Sequence, residues 1–286
     1  MIHRPIYKPK ARAGEYGDLA INIYRGCNHG CKYCYAPGVL RMSREAFSNV
    51  TLRPGIVESV KRQIERQRIT GKLIHLCFTC DPYPAEIDTT PTREIIQAIK
   101  ESGNNVQILT KGGHRAERDF DLLTPADWFG VTYTMIDRFE PLLANENEPK
   151  AEPPIDRLAT LQRAQRSAIR TWVSCEPVIE PQAVYKLIKQ ADYIDLFRIG
   201  KMNYQPSGID WAEFGAKCVE LCKVHGRNYY IKDDLADEMK RAGKFDFSDC
   251  SYWSADGCTG YRCCKEYYCP YAWESQPQLF MEGGLV

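Results

Sequence analysis

The feature that most constrains the fold of this chain is a repeated alternation of short β-rich runs with stretches of helical period. Residues 19–24, 72–79, 106–110, 128–135, 171–175, 193–199 and 228–232 read as strands. Residues 54–68, 92–102, 154–168, 181–190 and 210–224 read as helices between them. In the first helix Ile56, Val60 and Ile64 recur at four-residue spacing, which lays them on one face. Thr90, Pro91 and Thr92 supply a cap and a proline at the first turn of the second. Strands separated by helices imply a parallel sheet. The expected fold is therefore α/β, with six or seven units forming a full or partial TIM-type (β/α) barrel. The polar stretch 145–152 reads as an exposed loop between two units. After about residue 240 the pattern stops, and 249–271 is dense in Cys, Tyr and Gly with no period. Residues 1–240 are expected to be the barrel, and 241–286 a small Cys-rich metal-binding extension.

Composition narrows the function classes. With 44% hydrophobic and 26% charged residues the chain can bury a sizeable core. A formal net charge of +1 argues against a broad duplex-binding face, because neutralising phosphates takes a surplus of Lys and Arg. Duplex DNA is not the expected partner. No apolar run suits a signal peptide or a membrane span, so the expected location is the cytoplasm. The 13 cysteines are odd in number and unevenly clustered, which favours metal binding over disulfides in such a setting. Cys218 and Cys222, four apart on a predicted helix, read as packing residues.

Cys27, Cys31 and Cys34 form a C-x3-C-x2-C loop directly after the first strand, at the barrel face where active sites are built. Three thiolates suit a [4Fe–4S] cluster with one iron left without a protein ligand. S-adenosylmethionine (SAM) can chelate that open iron. The competing reading is a zinc loop with His29 as fourth ligand, although the spacing is unusual for structural zinc. Gly26 and Gly30 would let the backbone wrap the cluster closely. Tyr33 suits packing beside an adenine, and equally suits a core.

With its aromatic residue before the third cysteine, this loop resembles that of the radical SAM superfamily. The phrase INIYRGCNHGCKYCYAP is similar to the spore photoproduct lyase-like subgroup, as are FTCDPYPAEIDTTPTREII, VQILTKGG, VTYTMI and TWVSCEPVI further on. The resemblance spans roughly residues 15–205. It implies a partial (β/α)6 barrel, a [4Fe–4S] cluster, SAM and hydrogen abstraction by a 5′-deoxyadenosyl radical. It also implies SAM contacts at strand ends, with Tyr33, Thr79, Asp81, Lys111, Ser174, Glu176, Arg198 and Gly200 as candidates. Lys111 would pair with the carboxylate of the methionine moiety, and Ser174 or Glu176 would bond the ribose. Cys80 is the candidate hydrogen donor to a product radical, with Cys77 deeper in its strand. Both also read as small buried hydrophobes.

In the tail, four of Cys250, Cys258, Cys263, Cys264 and Cys269 would hold zinc or a second [4Fe–4S] cluster, and one of the adjacent pair would be spare. The expected function is a radical SAM lyase or rearrangement enzyme acting on a small, nucleobase-like molecule, a 7-deazaguanine derivative being one candidate. An external one-electron donor such as flavodoxin or ferredoxin would serve it. The alternatives are a DNA photoproduct repair lyase, which needs a base-flipping surface, and a non-catalytic zinc protein that binds nucleic acid.

Overall fold

A computed structural model describes residues 4–135 and 146–244, together with the backbone of a two-strand ladder that pairs Trp253–Ser254 with Gly257–Cys258. Seven strands make one sheet: β1 (Leu19–Ile21), β2 (Leu73–Leu76), β3 (Asn105–Thr110), β4 (Trp128–Thr132), β5 (Arg170–Cys175), β6 (Leu196–Ile199) and β7 (Tyr229–Ile231). They pair in chain order and all in parallel. No ladder joins β7 back to β1 among the described residues, so the arc is a partial barrel. It carries one strand more than the six of the expected (β/α)6 arrangement.

The crossovers follow from local sequence. Helix α1 (Ile56–Gln67) buries Ile56, Val60 and Ile64 against the sheet, as their spacing requires. Helix α2 begins at Thr90 and runs to Glu101, two residues earlier than expected. Its start is set by Asp88, whose Oδ1 accepts from both the amide (2.9 Å) and the hydroxyl (2.7 Å) of Thr90. Between β3 and β4 the chain crosses by a 3₁₀ helix, Gly113–Leu122. Helices α3 (Pro154–Arg166), α4 (Pro181–Gln190) and α5 (Trp211–Val224) complete the crossovers. Asp210 stands just outside α5 as its cap, accepting from the Glu213 amide at 2.9 Å. A further helix, α6 (Asp233–Arg241), follows β7 and buries Leu235, Ala236 and Met239; it is not among the helices expected from the sequence.

Strand alternation sorts side chains onto two faces. Val173 and Cys175 of β5 enter the large core beneath the helices, with Phe197 and Ile199 of β6 and Ile231 of β7. Cys218 and Cys222 are fully buried in that same core. The opposite face carries Trp128, Trp172, Leu196 and Tyr230, which pack with Tyr16 from the N-terminal segment. Trp172 fits only because its neighbour across the ladder is Gly130. A Cβ there would lie 2.6 Å from the indole Cδ1 and closer still to Nε1 and Cε2. The indole N–H donates to the Ile108 carbonyl at 3.0 Å. Of this aromatic layer, Tyr16 reaches the cavity at the C-terminal ends of the strands.

Candidate functional site

The cysteine loop leaves the sheet after β1, where Tyr24–Arg25 pairs antiparallel with Thr51–Leu52. Gly26 turns the chain at φ +86, and a Cβ there would sit 2.9 Å from the Asn49 carbonyl oxygen and closer to that of Phe47. Gly30, at φ +73, lies under Pro149, whose Cγ would be 2.9 Å from an added Cβ. Both positions need glycine, because of the neighbouring chain rather than the cluster itself. The loop is braced from several sides. The Cys27 amide donates to the Phe47 carbonyl (2.8 Å), and Arg44 donates to the carbonyls of Cys31 (3.1 Å) and Lys32 (2.6 Å). Asn28 exchanges hydrogen bonds with the Ala85 backbone at 2.6 and 3.1 Å.

The brace that the sequence concealed is the segment 146–152, expected to be an exposed loop. Its carbonyl at Asn147 accepts from the Lys32 amide (2.9 Å), and its Lys150 amide donates to the His29 carbonyl (3.1 Å). Glu148 is only 3% exposed. It is ion-paired with the fully buried Arg157 and accepts from the Tyr33 hydroxyl. Arg157 also donates to the carbonyls of Thr132 (2.6 Å) and Glu152 (2.7 Å). Burial pushes the Glu148 carboxyl above its usual range, and Arg157 pulls it partly back. A polar composition suggested solvent here, whereas pairing across the fold made burial tolerable.

His29 does not turn toward the thiols. It is 1% exposed, its Nδ1 lies 3.5 Å from Asp81 Oδ2, and its Nε2 lies 3.0 Å from an Arg115 nitrogen. Burial, with Arg115 and Lys111 nearby, lowers its pKa to about 4 although Asp81 opposes the shift. A neutral imidazole with both nitrogens engaged is a poor fourth ligand for a zinc loop. Among the described residues no three His, Cys, Asp or Glu side chains converge as a single ion demands.

Cys27, Cys31 and Cys34 instead rim a cavity of about 640 Å³ at the C-terminal ends of the strands. Burial raises the Cys27 thiol well above its ordinary value and pushes Cys31 up to about 12, with Lys111 drawing Cys31 partly down. Metal ligation must therefore displace their protons. Tyr33, Thr79, Cys80, Asp81, Lys111, Ser174 and Glu176 line the same cavity. Thr79 is apt for a polar ligand because its buried hydroxyl has no hydrogen-bond partner among the described residues. The Lys111 ammonium lies 5.4 Å from the Tyr33 ring centroid and makes no ion pair among the described residues. A ligand carboxylate could take that place.

Other candidates are committed elsewhere. Asp81 accepts from the Tyr83 amide (2.8 Å), the Thr110 hydroxyl (2.6 Å) and the Lys111 amide (2.8 Å), so it positions the wall. Glu176 is bonded to Lys232, to Tyr16 (3.3 Å) and to Asn203 (3.1 Å). Burial opposes the Lys232 charge, but Tyr16, Glu176 and Glu15 more than offset it and hold the ammonium protonated. Arg198 and Gly200 are not among the lining residues. The Arg198 guanidinium is buried between the rings of Tyr16 (4.5 Å) and Tyr230 (5.0 Å) and donates to the Glu15 carbonyl. Gly200 lies behind Glu176, whose Cδ would be 3.0 Å from an added Cβ.

Sequence reasoning missed Tyr16, Asn22, Glu148, Arg157 and Lys232. Asn22 stands just before the cysteine loop. Its Oδ1 accepts from the amides of Phe78 (2.8 Å) and Thr79 (2.9 Å), which pins the end of β2. The five tail cysteines fall outside the described residues, apart from the Cys258 backbone.

A family model described as the Radical SAM superfamily matches residues 21–179. An uncharacterized protein, ORF301, of Acidianus two-tailed virus is 27% identical over 84% of this chain and 82% of its own length. Another, MJ0683 of Methanocaldococcus jannaschii, is 29% identical over 62% of this chain and 65% of its own. A spore photoproduct lyase complexed with a dinucleoside spore photoproduct superposes with a TM-score of 0.60 at 14% identity, covering 79% of this chain and 78% of that one. SuiB of Streptococcus suis bound to S-adenosylmethionine superposes at 0.53 and 11% identity, over 74% and 46%. At such identities the two structures establish a shared fold.

Proposed function

We propose a specific reaction from an established premise, that this chain belongs to the radical SAM superfamily. The family implies a [4Fe–4S] cluster and SAM. In our reading Cys27, Cys31 and Cys34 hold the cluster, and the substrate is a small, nucleobase-like molecule undergoing bond cleavage or rearrangement. The observation that carries this reading is the meeting of three loop thiols, the unpartnered Thr79 hydroxyl and the Lys111 ammonium on one cavity. When bound, the cluster supplies the electron that breaks the sulfonium C–S bond of SAM, giving the 5′-deoxyadenosyl radical that takes hydrogen from carbon.

The chain's own residues bind and orient. Lys111 pairs with the carboxylate of the methionine moiety, Tyr33 lies beside it, and Thr79 and Ser174 offer hydroxyls. Tyr33 is itself held by Glu148 and Arg157. Cys80 is our candidate for returning a hydrogen atom to the product radical. A volume of about 640 Å³ lies within the range of small-molecule sites, ~300–1,000 Å³. Shared with cluster and cofactor, it suits a small substrate. The Cys-rich segment 241–286 is proposed to hold an accessory cluster or zinc through four of its five cysteines.

Anaerobic protein given dithionite and SAM should release 5′-deoxyadenosine, and Cys31→Ala should lose that activity together with about four irons per chain. Retained activity, or an iron content unchanged from wild type, would remove the cluster assignment. A colourless, zinc-only protein would instead favour the non-catalytic reading. Steeply salt-dependent duplex binding would favour DNA repair.

A further inference from the structure

Among the described residues five cysteines line the cavity, and the loop accounts for only three of them. The other two, Cys77 and Cys80, are free thiols spaced C-x-x-C at the C-terminal end of β2. The two residues between them are held by one side chain, because both intervening amides donate to Asn22 Oδ1. That clamp fixes the turn on which the cysteines stand. The two thiols lie close enough for each to shift the other's acidity, a proton on Cys77 favouring charge on Cys80. Burial disfavours a thiolate at both positions. At Cys80 the neighbouring Cys77 thiol, and then backbone hydrogen bonds from Tyr24 and Ile23, outweigh it and lower the pKa, while Cys77 is driven up. A thiol that ionises more readily beside a partner that keeps its proton is the division of labour that makes a dithiol exchange-competent.

We infer that Cys77 and Cys80 are a redox-active dithiol in the cavity wall, whose exchange partners are low-molecular-weight thiols and disulfides. Cys80 attacks one sulfur of a small disulfide, the S–S bond breaks, and the other sulfur leaves as a thiol after taking a proton. Cys77 then gives up its proton and attacks the Cys80 sulfur of the mixed disulfide, expelling the second thiol. The protein's two thiols are oxidised to one disulfide, and the small disulfide is reduced to two thiols. This exchange needs neither cluster nor SAM, so it stands apart from the radical reading. Its consequence for that reading is that the pair can supply a hydrogen atom to a product radical only while it is reduced.

The experiment uses full-length, anaerobically purified protein equilibrated in glutathione buffers of stepped redox ratio, then trapped by alkylation. Trypsin cuts after Lys72 and Arg93, and the peptide between them contains Cys77 and Cys80 and no other cysteine. The closed form is therefore read by mass spectrometry as a peptide lighter by two hydrogens. It should rise in a single two-electron transition and revert with dithiothreitol. In Cys77→Ser the peptide should instead carry one glutathione on Cys80, and Cys80 should be alkylated faster than Cys77 in the unmodified protein. If this peptide stays doubly alkylated at every ratio, or closes only after denaturation, the inference fails. Wild-type closure decides the matter even if a variant does not fold.

Discussion

Replacing Gly130 with alanine should destabilise the protein by roughly 2–5 kcal/mol. The new Cβ would meet the Trp172 indole at 2.6 Å or less, where ordinary contact begins at 3.4 Å. Trp172 is fully buried, so a close-packed layer must move by most of an ångström. Overpacking of this kind costs about 1–3 kcal/mol. If the indole swings away, its N–H loses the Ile108 carbonyl, and an orphaned buried donor adds about 1–3 kcal/mol. Trp172→Phe removes the ring atoms that the methyl would strike, at about 1–2 kcal/mol by itself. The double variant should therefore lie well below the sum, with a coupling of roughly 1–3 kcal/mol. Urea unfolding followed by far-UV circular dichroism measures all four corners of the cycle. Effects that add to within ~0.5 kcal/mol would falsify the reasoning, because they would mean that residues 130 and 172 are not in contact.

Three further outcomes follow from buried polar groups. His75 is buried, and burial lowers its pKa to about 3 despite a hydrogen bond to Gln107. The unfolded chain takes up that proton below pH ~6.5, so stability should fall as pH drops from ~6.5 toward 3. His75→Phe should flatten that limb of a stability–pH curve, and an unchanged slope would remove the assignment. Arg157→Met leaves the Glu148 carboxylate buried without its cation and should cost about 3–5 kcal/mol in denaturant titrations. Because the Glu148 pKa is already raised, that loss should be smaller at pH 5 than at pH 8, and the reverse order would contradict it. Tyr33→Phe keeps the ring under Lys111 but removes the donor to Glu148. It should lower stability by about 1–3 kcal/mol, with SAM affinity by calorimetry changing much less than in Lys111→Met.

The parts of this protein legible in its sequence are those encoded by near neighbours. Ile56, Val60 and Ile64 announce a helix because four-residue spacing places them on one face, and the seven strands were visible as β-rich runs, though several runs were longer than the strands that formed, 72–79 against Leu73–Leu76 for one. The C-x3-C-x2-C loop was visible because its cysteines lie within eight residues of one another. Capping chemistry was partly visible: Asp210 was placed inside its helix, and the start of α2 was credited to Thr90 when Asp88 sets it. The exposed-loop reading of 146–152 holds for Glu146, Pro149 and Lys150 and fails only at Glu148, since a carboxylate that finds a buried guanidinium no longer needs water.

By itself, then, the sequence determined the alternation of strands and helices, the parallel sheet they imply, and a set of three thiols set after the first strand. Only the tertiary structure decided what surrounds those thiols. Tyr33 meets Glu148 across 115 residues, Tyr16 meets Glu176 across 160, and Lys232 reaches Tyr16 across 216. Such pairs carry no period and no fixed spacing. They exist because parallel strands of very different chain position end at one rim, where a polar side chain must find a partner among whatever the fold brings near. For the same reason Asn22 could tie down the C-x-x-C turn of β2, a role that nothing local to either segment announces.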